Sequence, residues 1–108
     1  MKIPKKIRIG GQTIEVSQPN CIDGGKLGEC RLGDGYIRIA EQFNCAKQSE
    51  SSKVNTYWHE VTHCILDTMG RGDLSQDETF VSCFSGFLTE CYISMEEDWK
   101  KDNDPKTE

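Results

Sequence analysis

Apolar and polar residues alternate over positions 6–9 and again over 13–16, with Gly10-Gly11 between them. That period of two around a glycine pair predicts a β-hairpin with a tight turn. Residues 17–26 read as loop, punctuated by Pro19, Asn20 and Asp23-Gly24-Gly25. Residues 27–32 and 36–40 then bracket Gly33-Asp34-Gly35 and predict a second hairpin, with Ile37 and Ile39 on one face and Tyr36, Arg38 and Ala40 on the other. Beyond residue 49 the period lengthens. Ser49 to Ser52 offer N-caps for a helix over about residues 52–69, and Gly70 stands where a left-handed residue ends one. Residues 71–73 read as a turn. Ser75-Gln76-Asp77-Glu78 has the form of a capping box, opening a second helix to about residue 95. Its apolar residues Phe80, Phe84, Phe87, Leu88, Cys91 and Met95 recur three and four apart and predict a core-facing stripe. The expected fold class is α+β: a small antiparallel or mixed sheet of N-terminal hairpins followed by two main helices. Residues 1–95 form the single expected domain. Residues 96–108, charged and interrupted by Pro105, are expected to be a frayed tail.

Composition narrows the setting. A chain of 108 residues holds one modest core, and 35% hydrophobic content with a mean hydropathy of −0.63 fits a soluble globular domain. No apolar run approaches the roughly 20 residues of a membrane span, and the basic start Met1-Lys2-Ile3-Pro4-Lys5-Lys6 has no apolar stretch behind it to form an export signal. A cytoplasmic protein without a membrane partner is expected. Net charge is −5, and the short Lys5-Lys6-x-Arg8 run reads as a solvated strand face, so no nucleic-acid partner is expected. The six cysteines are then expected to be reduced. Cys64, Cys83 and Cys91 fall in apolar helical patterns as small hydrophobes; Cys21 and Cys30 flank a glycine-rich loop that could bring them together.

The chemistry concentrates at His59-Glu60-Val61-Thr62-His63. The only two histidines of the chain stand four apart, so a helix carries both on one face, one turn apart. Neutral imidazole is a ligand for Zn²⁺, and Glu60 next to the first ligand is placed to act as general base toward an attacking water. A catalytic zinc site takes three protein ligands and leaves one position open. With no third histidine, a carboxylate is required, and Asp67, Asp73, Asp77 and Glu78 are the candidates. The residues leave two of them in contention. Glu78 is three after Ser75 and could be occupied in the capping box, while Asp77 lies nearer the centre of the apolar face. Asp67 reads as a residue outside the ligand set.

The H-E-x-x-H stretch, the strand pair around Gly28-Glu29 and Tyr36-Ile37-Arg38-Ile39-Ala40, and Glu78 with Val81, Phe84 and Leu88 following it together resemble the small bacterial and phage-encoded zincins related to the ImmA/IrrE peptidases. The resemblance covers roughly residues 7–92, and only the H-E-x-x-H part of it is specific. Val81 stands where that family usually has alanine, and no DNA-binding domain accompanies the motif. The resemblance implies a minimal zincin-like fold, a Zn²⁺ ion held by His59, His63 and Glu78, Glu60 as the catalytic base, and a peptide or protein substrate. It further implies that the strand over residues 36–40 lines the cleft and that an auxiliary oxyanion donor exists, for which Tyr36, Tyr57 and Tyr92 are available. The alternative expectation is a non-catalytic metal-binding interaction domain of phage or mobile-element origin.

Overall fold

The computed structural model describes residues 1–102 and is α+β, a four-stranded mixed sheet followed by two main helices. Strands β1 (Lys6–Ile9) and β2 (Gln12–Ser17) form the first hairpin, and β3 (Gly28–Arg31) and β4 (Tyr36–Ile39) the second. The hairpins join through a parallel pairing of β2 with β4, Val16 opposite Ile37, which gives the order β1-β2-β4-β3. β4 is therefore interior and β3 is an edge. A two-stranded ribbon, β5 (Gln42–Phe43) with β6 (Ala46–Lys47), escaped the sequence reading because each strand is too short for a period to register.

Helix α1 (Glu50–Thr68) lies across the sheet, and Ser49 caps it through a 3.1 Å bond from the Ser52 amide to its hydroxyl. The core is the seam between them: Ile14 and Val16 from β2, Ile37 and Ile39 from β4, and Val54, Tyr57, Val61 and Cys64 from α1. Lys53 is buried near the start of α1 and carries its charge to Glu41 and Glu50, each at 3.0 Å, and to Gln18 at 3.1 Å. Burying an ammonium demands such partners.

The second long helix, α3 (Glu78–Asp102), packs chiefly on α1. It departs from expectation in three ways. It runs seven residues beyond the expected end at Met95, held there by the N-terminal ammonium on Glu96 at 2.9 Å and by Tyr92 against the Trp99 ring. Of the expected tail over residues 96–108, residues 96–102 are therefore helix, and 103–108 lie outside the described residues. It is not opened by a capping box: Ser75 belongs to the short helix α2 (Gly72–Ser75), and Asp77 caps α3 by accepting from the Phe80 amide at 3.1 Å. Most consequentially, the expected core stripe lies mostly outward, with only Phe80 and Leu88 half-buried. Phe84 is 50% exposed and Phe87 69%, whereas Val81, Ser85 and Thr89 are buried. Helix spacing is set by the side chains at the contact, and this contact uses small ones. The Thr89 hydroxyl is satisfied by the Ser85 carbonyl at 2.7 Å, so burying it strands no polar group.

The cysteines also differ from expectation. Cys30 on β3 is bonded to Cys64 on α1, across 34 residues of sequence, and Cys21, Cys45, Cys83 and Cys91 are free and exposed. Cys64 faces the sheet at the point where β3 passes α1, so its partner comes from the strand and Cys21 is left unpaired. Closing a loop of that length contributes about 3–4 kcal/mol by restricting the unfolded chain. The close approach of β3 to α1 also requires Gly28, where an added Cβ would stand 2.6 Å from Thr56 Cγ2 and 3.2 Å from both the Arg38 carbonyl and Glu60 Cγ. Gly28→Ala is therefore expected to destabilise the fold by about 1–3 kcal/mol, measured by urea denaturation against Gly33→Ala, where the added Cβ meets nothing within 4 Å.

Candidate metal centre

Three elements converge on one point. α1 presents His59 and His63 one turn apart, their ring centroids 4.9 Å from each other. Gly70 ends α1 in a left-handed conformation (φ 77°), and α2 turns the chain so that the first residue of α3 lies over the two rings. There Glu78 spans them, Oε2 at 3.3 Å from His59 Nε2 and Oε1 at 3.1 Å from His63 Nε2. One donor atom from each residue falls within 4.8 Å of the others, so the three form a group that could hold a metal ion. Donors about 2.1 Å from a tetrahedral zinc stand roughly 3.4 Å apart, close to the two distances found.

The other acids are occupied or apart from this group. Asp77 caps α3, and Asp73 makes two bonds to Arg71 at 2.9 and 3.0 Å. Asp67 borders the cleft outside the cluster. The ring of His63 is fixed by Ser75, whose Oγ lies 3.0 Å from Nδ1. A proton on Nδ1, donated to Ser75, leaves the Nε2 lone pair toward Glu78, the tautomer a metal ligand requires. Reading Ser75 as a cap hid this role, and no sequence spacing announces it.

Burial lowers the His59 pKa, the nearby His63 adds to that, and Glu78 opposes it. The neutral, ligating form of His59 is favoured as a result. Glu60 points into the space between α1 and β3 and is 8% exposed. Burial, with the charges of Glu78 and Glu29 behind it, pushes its carboxyl up to about 7, and Lys26 only partly offsets this. A carboxylate there is poised to take and return a proton near neutral pH.

The cleft has a volume of about 680 Å³. His59, Glu60, His63 and Glu78 line it, and β3, through Gly28, Glu29 and Cys30, forms part of its wall. β3 replaces the expected β4 strand because β4 is enclosed between β2 and β3. None of the three tyrosines lines the cleft. Tyr57 is in the core, where burial pushes its hydroxyl to about 12; Tyr36 accepts from Arg38 at 2.9 Å; Tyr92 packs on Trp58. Polar groups the sequence reading passed over, Asn55, Thr56 and Lys26, border the cleft instead.

No family model, curated protein or solved structure matches the chain. Its chemistry must therefore be argued from this geometry.

With zinc held by His59, His63 and Glu78, Ser75→Ala would weaken that affinity about 10-fold or more while leaving the fold intact, as read by competition with a chromophoric chelator. Glu60 sets a second expectation for metal-free protein. Its folded pKa lies above the unfolded value, so its contribution to stability is complete below about pH 4.5 and is lost as pH rises through about 7. Glu60→Gln does not titrate, and chelator-treated variant should exceed wild type by on the order of 2–3 kcal/mol above pH 7, with the gap closing near pH 4. Urea midpoints across that range check it.

Proposed function

We propose that this chain is a zinc-dependent peptidase, with His59, His63 and Glu78 as ligands and Glu60 as general base. The carrying observation is that a carboxylate from a different helix meets both histidines while a second, buried carboxylate lies beside them in an open cleft. His59, His63 and Glu78 would hold the zinc, and the ion would supply Lewis-acid polarisation of the scissile carbonyl and bring the pKa of a water toward neutrality. The residues do the rest. Glu60 takes the proton of the attacking water and passes it to the departing amine, a transfer that suits a carboxyl held near 7. Ser75 keeps the His63 ring turned to its ligand position. The edge strand β3, bordering the cleft, offers its backbone to an extended peptide by strand addition. The reading agrees with the resemblance to ImmA/IrrE-type zincins, and the substrate it implies is a peptide or protein. A cytoplasmic setting belongs to the same reading. Four exposed free thiols suit a reducing compartment, and the one bond joins the fully buried Cys64 to the half-buried Cys30. No helix among the described residues is long and apolar enough to cross a membrane.

Elemental analysis and a peptide-library digest test the proposal together. One zinc per chain is expected in wild type, lost in His63→Ala and weakened in Glu78→Ala. Glu60→Gln should keep the zinc and lose about 10²- to 10⁴-fold in hydrolysis. A folded wild type that takes up no zinc overturns the reading. Zinc bound with no hydrolysis of any library member assigns a metal-binding interaction domain instead.

A further inference from the structure

The outer face of α3 is not explained by the fold or by the cleft. Phe80, Phe84, Phe87, Cys91 and Met95 follow one another at intervals of four, three, four and four residues and form one continuous stripe. Phe84 and Phe87 are at least half exposed, Met95 is 49% exposed, and the Phe80 and Phe84 rings are stacked with centroids 5.9 Å apart. At 100° per residue the stripe centres roughly 120° from the buried Val81, Ser85 and Thr89, and still farther from Glu78 and Ser82 in the cleft. None of its residues lines the cleft. A continuous apolar patch rimmed by charge is an interaction surface more often than a neutral feature.

The rim identifies the partner. Asp77 stands at one end of the stripe, and Asp98 and Asp102 continue it at the other, each within about 40° of its centre at 100° per residue. Lys101 lies about 80° and Lys100 about 180° from the stripe's centre line, and the whole chain is at −5. A second copy would bring like charge against like: an antiparallel pair that matches Phe80 with Met95 sets Asp77 against Asp98. The complementary occupant is a helix with apolar anchors at i, i+3 or i+4 and i+7, flanked by Lys and Arg.

We propose that the outer face of α3 docks a basic amphipathic helix of a partner protein, on the side of the molecule away from the cleft. The inference does not depend on the peptidase reading, since it uses none of the cleft residues.

The test titrates the full chain with a labelled leucine–lysine amphipathic peptide of about 18 residues, long enough to form a helix, at low and high salt. A leucine–glutamate peptide of the same pattern is the control. Saturable binding of the basic peptide is expected, and at least a 10-fold loss in Phe84→Ser/Phe87→Ser. Asp98→Lys/Asp102→Lys should weaken binding several-fold and flatten its salt dependence. Both variants change exposed residues, and circular dichroism with the urea midpoint reports whether they remain folded; Phe87→Ser alone is the milder replacement. Three outcomes overturn the proposal. One is no binding of the basic peptide, or equal binding of the acidic one. Another is binding unchanged in the serine variants, which reduces the attraction to charge alone. The third is a wild-type dimer in analytical ultracentrifugation that Phe84→Ser/Phe87→Ser dissociates, which assigns the face to a second copy.

Discussion

The bridging of His59 and His63 by Glu78, at 3.3 and 3.1 Å, requires α3 to lie close against α1 at its first turn. Much of the rest follows from that. Close helices need small residues between them, which is where Val81, Ser85 and Thr89 are found. The phenylalanines of the same helix are then left on its far side. A stripe that would ordinarily supply the core is displaced outward by the demands of a polar site.

A second constraint comes from the sheet. β3 must pass close enough to α1 to wall the cleft and to take Glu60 out of water, and two features hold it there: the missing side chain at Gly28 and the Cys30–Cys64 bond. Burial then does the electrostatic work, raising the proton affinity of Glu60 and lowering that of His59. The same enclosure favours an uncharged imidazole that can ligate and a carboxyl that exchanges protons near neutral pH.

Both hairpins and the α1 helix were legible because each carries a strong period with glycine punctuation, and local signals of that kind survive folding. The convergence of His59, His63 and Glu78 was legible only in part. The two histidines follow from helix geometry, but the choice between Asp77 and Glu78 depended on which residue caps α3, and that turns on α2, four residues long and without a period of its own. Long-range facts left no local trace. Nothing near Cys64 points to Cys30, nothing near Ser75 points to His63, and β4 became interior through a parallel pairing with β2 that alternation alone does not encode. The α3 stripe failed for a different reason. Periodicity reports that a face is apolar, not what covers it.

The disulfide also decides what a severed chain would look like. It closes a ring between Cys30 and Cys64, 34 positions apart, which contains β4, the β5–β6 ribbon and most of α1. The exposed tip of that ribbon, where Asn44 and Cys45 take left-handed conformations, lies inside the ring. A cut there leaves both pieces covalently joined, with His59, Glu60, His63 and Glu78 all on the C-terminal one. The fragments separate only under a reductant, so an intact band without one does not certify an intact backbone.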